Sequence, residues 1–163
     1  GMSDRPRTFD WDDPLAMARA IENLSGLERM QQVLAGTLPP PPMARLMDIR
    51  LVEASEGHAV FEATPAEFHF NPIGVVHGGF AATLLDSAMG CAVHTTLPSR
   101  VGYTTLELKV NFVRAITLAT GLVRGIGTVM HAGRTTALAE GRLVSGDGTL
   151  LAHATTTCLV FRG

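Results

Sequence analysis

Asn71-Pro72-Ile73-Gly74-Val75-Val76-His77-Gly78-Gly79-Phe80-Ala81-Ala82-Thr83-Leu84-Leu85-Asp86 decides the fold of this 163-residue chain. Pro72 and Gly74 break regular structure, so a loop is predicted over 65–76. From Phe80 the residues are mostly apolar as far as Val93, which predicts a helix over 78–96. Such a helix is apolar on nearly every side and has to be enclosed rather than laid on a surface. Ala81, Ala82, Ala88, Gly90 and Ala92 keep it slim, so a sheet can bend round it. Asp86 and Ser87 interrupt the run, which falls short of the roughly 20 apolar residues of a membrane span.

Strands flank this helix on both sides. Two short ones are predicted over 46–54 and 58–64, joined at Glu56-Gly57. After the helix, Leu106, Leu108, Val110 and Phe112 alternate with Thr105, Glu107, Lys109 and Asn111, the period of two of a strand over 105–113. Further strands are predicted over 120–130, 135–145 and 149–161, linked by turns at His131-Ala132-Gly133 and Ser145-Gly146-Asp147-Gly148. The predicted class is α+β, one long central helix gripped by a curved antiparallel sheet of about six strands.

Residues 1–43 read as an N-terminal helical extension with a proline linker, and 44–163 as the main domain. Asp13-Pro14 is a helix start, after which Leu15, Ala18, Ile21 and Leu24 recur about once per turn. Ser25 and Glu28 form a capping box for a second helix, with Leu27, Met30, Val33 and Leu34 on its apolar face and Gly36 at its end. Pro39 to Pro42 are expected as a stiff extended linker.

Composition narrows the function classes. Hydrophobic residues make up 46% and charged residues 17%, and so charge-poor a chain is expected to hide surface in a homo-oligomer. A net charge of −2 with no run of either sign argues against a nucleic-acid footprint or a polybasic membrane patch. Cys91 and Cys158 lie far apart in apolar runs and read as buried free thiols of a reducing compartment. No metal-ligand spacing is present. The start, GMSDRPRTFD, lacks the apolar core of a signal peptide, so a cytoplasmic location is expected.

Asp86 is the anomaly, a carboxylate in mid-helix among Phe80, Leu84, Leu85, Met89 and Val93. Burying it without donors is costly, so it faces either a cavity or a narrow polar strip with Thr83, Ser87 and Gly90. In a partly dry pocket it suits a general base or a nucleophile. His77-Gly78-Gly79 stand where the helix begins, and unpaired N–H groups at a helix start suit a carbonyl oxygen that gains negative charge. The two glycines allow close approach of a ligand, although a tight turn into the helix would use them equally. His77 reads as a base, an oxygen ligand or a packed loop residue. Asn71-Pro72 reads as a turn former or as an amide that positions water or a carbonyl.

Taken together, these residues resemble the signature of the hotdog-fold thioesterase superfamily. Within it they are most similar to the phenylacetate-degradation and 4-hydroxybenzoyl-CoA type. That signature is an Asn in the loop, His-Gly-Gly at the helix start and an acidic residue nine positions after the His, and the element order fits over 44–161. The resemblance implies hydrolysis of an acyl-coenzyme A thioester, with coenzyme A part of the substrate and no separate cofactor or metal. It implies that Asp86 activates water or attacks the thioester carbonyl, and that the Gly79 N–H polarises that carbonyl with Gly78 beside it. Asn71 and His77 would orient the thioester or the water, and Thr105 or Thr104 would place the water. Arg134 resembles a basic position that contacts the coenzyme A phosphates, though an ordinary turn arginine looks the same. Arg100 and Arg114 are further candidates.

The resemblance also implies a homodimer, which can pair again into a homotetramer, with Asp86 facing the neighbour's loop. The helix supports this on its own terms. Nine residues span about 13 Å along the axis, so Asp86 and His77 of one chain do not readily act on one atom. Two other readings compete. One is an acyl-CoA binding protein without turnover. The other is an enoyl-CoA hydratase of the same fold, which has an Asp two positions before Asn-Pro where this chain has His69.

Overall fold

A computed structural model describes residues 4–162. The N-terminal extension forms as its caps dictate. Helix α1 (Pro14–Ala20) opens with Asp13 accepting from the N–H groups of Leu15 at 2.9 Å and Ala16 at 3.2 Å. Helix α2 (Gly26–Leu34) opens with a reciprocal box: Glu28 N–H donates to Ser25 Oγ at 3.2 Å, and Ser25 N–H donates to Glu28 Oε2 at 2.7 Å. The proline linker departs from expectation. Pro41 caps and Pro42 begins a third helix, α3 (Pro42–Met47), so the expected boundary between 43 and 44 falls inside a helix. Proline cannot continue a helix but fits its first turn, where the missing N–H has no partner to lose. Asp48, at φ 56°, ends α3, and the next strand therefore starts at Ile49 rather than 46.

The elements that follow are β1 (Ile49–Ser55), β2 (His58–Ala63), α4 (Gly78–His94), β3 (Val101–Phe112), β4 (Val123–Ala132), β5 (Thr136–Ser145) and β6 (Leu150–Arg162). The strands form one six-stranded sheet in the order β1-β2-β4-β5-β6-β3, with every neighbouring pair antiparallel. Strand β3 is thus an edge. This is the expected α+β hotdog architecture, a long helix held in a curved sheet.

The curvature has a sequence cause. Ala59, Gly127, Gly141 and Ala154 stand opposite one another across β2, β4, β5 and β6. They make a trough with no side chain larger than a methyl, and α4 lies in it. A Cβ on Gly127 would stand 2.7 Å from Met89 N and nearer still to the Ala88 carbonyl. Phe80, Leu84, Leu85 and Met89 of α4 are fully buried, each contributing about 1.5–3 kcal/mol.

Strand β3 starts four residues earlier than expected, and its alternation breaks. The register with β6 shifts between Thr105 and Glu107, which makes Leu106 the extra residue of a β-bulge. Before the bulge Val101 and Tyr103 pack on the core; after it Leu108 and Val110 do. Unbroken alternation would put Thr105 on the face of Glu107 and Lys109, away from the helix. The bulge turns Thr105 inward and leaves Leu106 57% exposed. Among the described residues, no helix is long and apolar enough to cross a membrane.

Candidate active site

The Asp86 carboxylate faces a cavity rather than a solvent strip. The space measures about 250 Å³ and is bordered by Asp86, Ser87 and Cys91 of α4, and by Tyr103 and Thr105 of β3. Thr105 Oγ1 donates to Asp86 Oδ1 at 3.0 Å. Thr104 is exposed and pairs with Leu159 on the neighbouring strand. Of the two threonines expected near the site, the fold therefore brings only Thr105 to Asp86. Asp86 is the one charged side chain lining the cavity among the described residues. Its neighbours stay neutral: loss of solvation and then the Asp86 charge push the Cys91 thiol up to about 12. Burial first, then Cys91, Cys158 and Asp86, likewise push the Tyr103 hydroxyl up.

The helix start forms a second centre. His77 is the N-cap of α4, and its Nδ1 accepts from the Gly79 N–H at 2.8 Å. The Gly79 N–H expected to face a ligand is thus engaged within the chain. Because Nδ1 accepts, the neutral ring carries its proton on Nε2, which becomes the side-chain donor at this end of the helix. His77 and Gly78 border a separate cavity of about 230 Å³ with Phe112 and Arg114. A Cβ on Gly78 would stand 3.1 Å from Phe112 Cζ, so the exposed ring would have to shift slightly to admit it. Asn71 serves its loop: Oδ1 accepts from Ile73 N–H at 3.1 Å and Val75 N–H at 3.2 Å, leaving its amide NH2 group for other partners.

The remaining basic groups sort by position. Arg114 borders the His77–Gly78 cavity. Arg134 stands exposed on the β4–β5 turn, outside the cavities that hold Asp86 and His77. Arg100 is tied to the N-terminal extension, donating from Nη2 to Asn23 Oδ1 at 2.8 Å. His69 is structural. Its Nδ1 accepts from Ala66 N–H at 3.0 Å, its Nε2 donates to Met47 O at 2.8 Å, and burial lowers its pKa.

Sequence reasoning missed Tyr103 and Cys91 as walls of the Asp86 cavity. Tyr103 lies two residues before Thr105 on one strand face, a signal usable only once the strand is known to start at Val101. It also missed that Gly79 is engaged by His77.

Comparison with known proteins gives concordant matches. Residues 73–152 match the family described as the Thioesterase superfamily. A candidate esterase of Halobacterium salinarum is 38% identical over 84 residues, or 50% of this chain and 54% of that protein. That alignment therefore spans only about half of the relative's length. The crystal structure of a candidate thioesterase from Ralstonia eutropha, related to phenylacetic acid degradation, is 30% identical and superposes with a TM-score of 0.72. It covers 80% of this chain and 98% of its own. A conserved protein of Pseudomonas aeruginosa is 31% identical, covering 75% of this chain and 95% of its own at a TM-score of 0.70.

Proposed function

Because the chain belongs to the hotdog-fold thioesterase superfamily, we propose that it hydrolyses an acyl-coenzyme A thioester at a site shared between two copies of itself. The observation that carries this reading is the separation of the two centres. Asp86 with Thr105 lines one cavity, and His77 with Gly78 lines another. A carboxylate and a carbonyl-polarising donor have to meet on one thioester, so the donor comes from a partner.

Strand β3 supports this arrangement. It is the sheet edge nearest Asp86, and its Leu106 and Phe112 stay 57% and 61% exposed. An edge strand with exposed apolar side chains suits pairing with a second copy. Such pairing buries the edge and carries each helix start toward the other chain's Asp86.

In this reading, Asp86 is the general base. Thr105 holds Oδ1, and Oδ2 takes a proton from water as the water oxygen bonds to the thioester carbon. The carbonyl oxygen becomes an oxyanion and accepts hydrogen bonds from His77 Nε2–H and Gly78 N–H of the partner. Gly79 contributes by holding His77 in that tautomer. The tetrahedral intermediate collapses, the C–S bond breaks, and Asp86 returns the proton to the departing coenzyme A sulfur. Arg114, beside the His77–Gly78 cavity, suits the coenzyme A phosphates.

A mixed dimer tests the sharing. Asp86→Asn and His77→Ala chains carrying different affinity tags are co-expressed, and the heterodimer is isolated through both tags. Turnover well above either parent homodimer is expected, since one of its two sites keeps both wild-type groups. Turnover no higher than the parents would contradict a shared site.

A further inference from the structure

The N-terminal extension borders the Asp86 cavity on one side. Met30 and Val33 of α2, Pro40 and Pro41 of the proline segment and Met43 of α3 form the wall that shares this cavity with Asp86 and Tyr103. All five lie outside residues 73–152, the stretch matched by the family model. From this we infer that the N-terminal extension is the specificity element of the protein, supplying the wall of the acyl-binding chamber and setting the largest acyl group it accepts. The inference rests on the acyl-CoA reading above and adds the substrate class.

Charge decides which end of the substrate enters. The five wall residues carry no charge, and among the described residues Asp86 is the one charged side chain lining the chamber. A polyphosphate nucleotide is repelled there, whereas an uncharged acyl group gains from leaving water. Size then decides the class. An engineered apolar cavity of about 150 Å³ accepts benzene, and this chamber measures about 250 Å³. It has room for a single substituted ring or a medium-length aliphatic chain, and not for a long fatty-acyl chain. The two methionines suit such a wall, since their unbranched side chains adapt to differently shaped groups.

The wall is docked onto the catalytic helix. Gly26, the first residue of α2, is buried and donates its N–H to Leu97 O at 3.0 Å. A Cβ at Gly26 would collide with the His94 carbonyl at the end of α4. Arg100, just past that end, holds Asn23 and lies 3.9 Å from Glu22. Helix α2 packs against both β1 and α4, so the wall keeps its position relative to Asp86.

The 163-residue protein tests this. Release of thiol is measured from acetyl-, octanoyl-, phenylacetyl- and palmitoyl-CoA for wild type, Met30→Trp, Met30→Ala and Val33→Ala. Wild type is expected to prefer octanoyl or phenylacetyl over palmitoyl. Met30→Trp, which fills the chamber, should lower the kcat/KM ratio of octanoyl- to acetyl-CoA at least tenfold. Met30→Ala and Val33→Ala should move the preferred chain length upward, and they carry the test if Met30→Trp does not fold. Calorimetric binding of S-octyl- and S-ethyl-coenzyme A, thioethers that cannot be hydrolysed, separates this inference from the hydrolase reading. A fall in the octyl-to-ethyl affinity ratio in Met30→Trp upholds the wall even where no thiol is released. Folded variants with the wild-type chain-length profile and the wild-type affinity ratio overturn it, whether or not hydrolysis occurs.

Discussion

Gly127→Ala adds one methyl group and strikes the contact that places the central helix α4. The new Cβ would lie 2.7 Å from Met89 N and closer to the Ala88 carbonyl, where unstrained contacts need about 3.5 Å or more. Both obstacles are backbone, so no side chain can rotate away. Either α4 lifts by roughly 1 Å at Ala88 or β4 bends outward, and each route opens the packing around fully buried Leu85 and Met89. Overpacking of this kind costs about 1–3 kcal/mol, and the double backbone clash puts this case at or above the upper end. For a chain of this size that lowers Tm by roughly 6–12 °C. Asp86 lies two residues from Ala88, and a displacement of about 1 Å in a reacting group lowers turnover roughly a hundredfold. Gly146→Ala is the control, because nothing stands within 4 Å of its Cβ and its φ is not in the left-handed range; it should leave Tm within about a degree or raise it slightly. Thermal unfolding followed by circular dichroism, with thiol release from octanoyl-CoA on the same preparations, reads both effects. A Gly127→Ala protein with wild-type Tm and turnover would refute the claim that α4 rests on the β4 backbone.

Thr105→Val removes the hydroxyl that holds Asp86 and should lower kcat about ten- to hundredfold, the size of a charged hydrogen bond of roughly 1.5–3 kcal/mol. Thr104→Val, on the other face, should change it little; equal effects of the two would undo the bulge argument. Arg114→Ala is expected to raise KM for acyl-CoA about tenfold with little change in kcat, an effect that disappears with acyl-pantetheine substrates, which lack the nucleotide phosphates. His94 is held neutral by burial and then by Arg29, with its pKa lowered to about 4 from 6.5. Between those values the unfolded chain binds the proton and the folded chain does not, so this group's contribution to stability is present above pH 6.5 and is lost as pH falls toward 4. Denaturant midpoints for wild type and His94→Gln across that window should converge on acidification, and parallel curves would remove His94 as a cause.

The central helix was legible because its composition is extreme: an apolar run with small residues throughout and one carboxylate can only be enclosed. Caps were legible for the same local reason, since Asp13 and the Ser25–Glu28 pair meet their own neighbours in sequence. What escaped depends on partners far along the chain. The bulge at Leu106 is fixed by pairing with β6, which begins some forty residues later, so periodicity alone placed Thr105 on the wrong face. Prolines 39–42 read as breakers, yet Pro42 begins α3 because the first helical turn does not need its N–H. The engagement of Gly79 by His77 depends on one side-chain torsion, which no residue pattern records. That α2 and the proline segment border the Asp86 cavity follows from the docking of Gly26 on the end of α4, about seventy residues away.

Thiol release from a panel of aromatic and aliphatic acyl-CoAs, measured with wild type and Asp86→Asn side by side, is the decisive test of Asp86 as the catalytic carboxylate. Wild type is expected to release thiol, and a folded Asp86→Asn protein to lose at least about a hundredfold of that turnover. Undiminished release by the folded mutant would contradict Asp86 as the catalytic carboxylate. No release by wild type from any acyl-CoA, with binding of the coenzyme A thioethers retained, would leave an acyl-CoA binding protein in place of an enzyme.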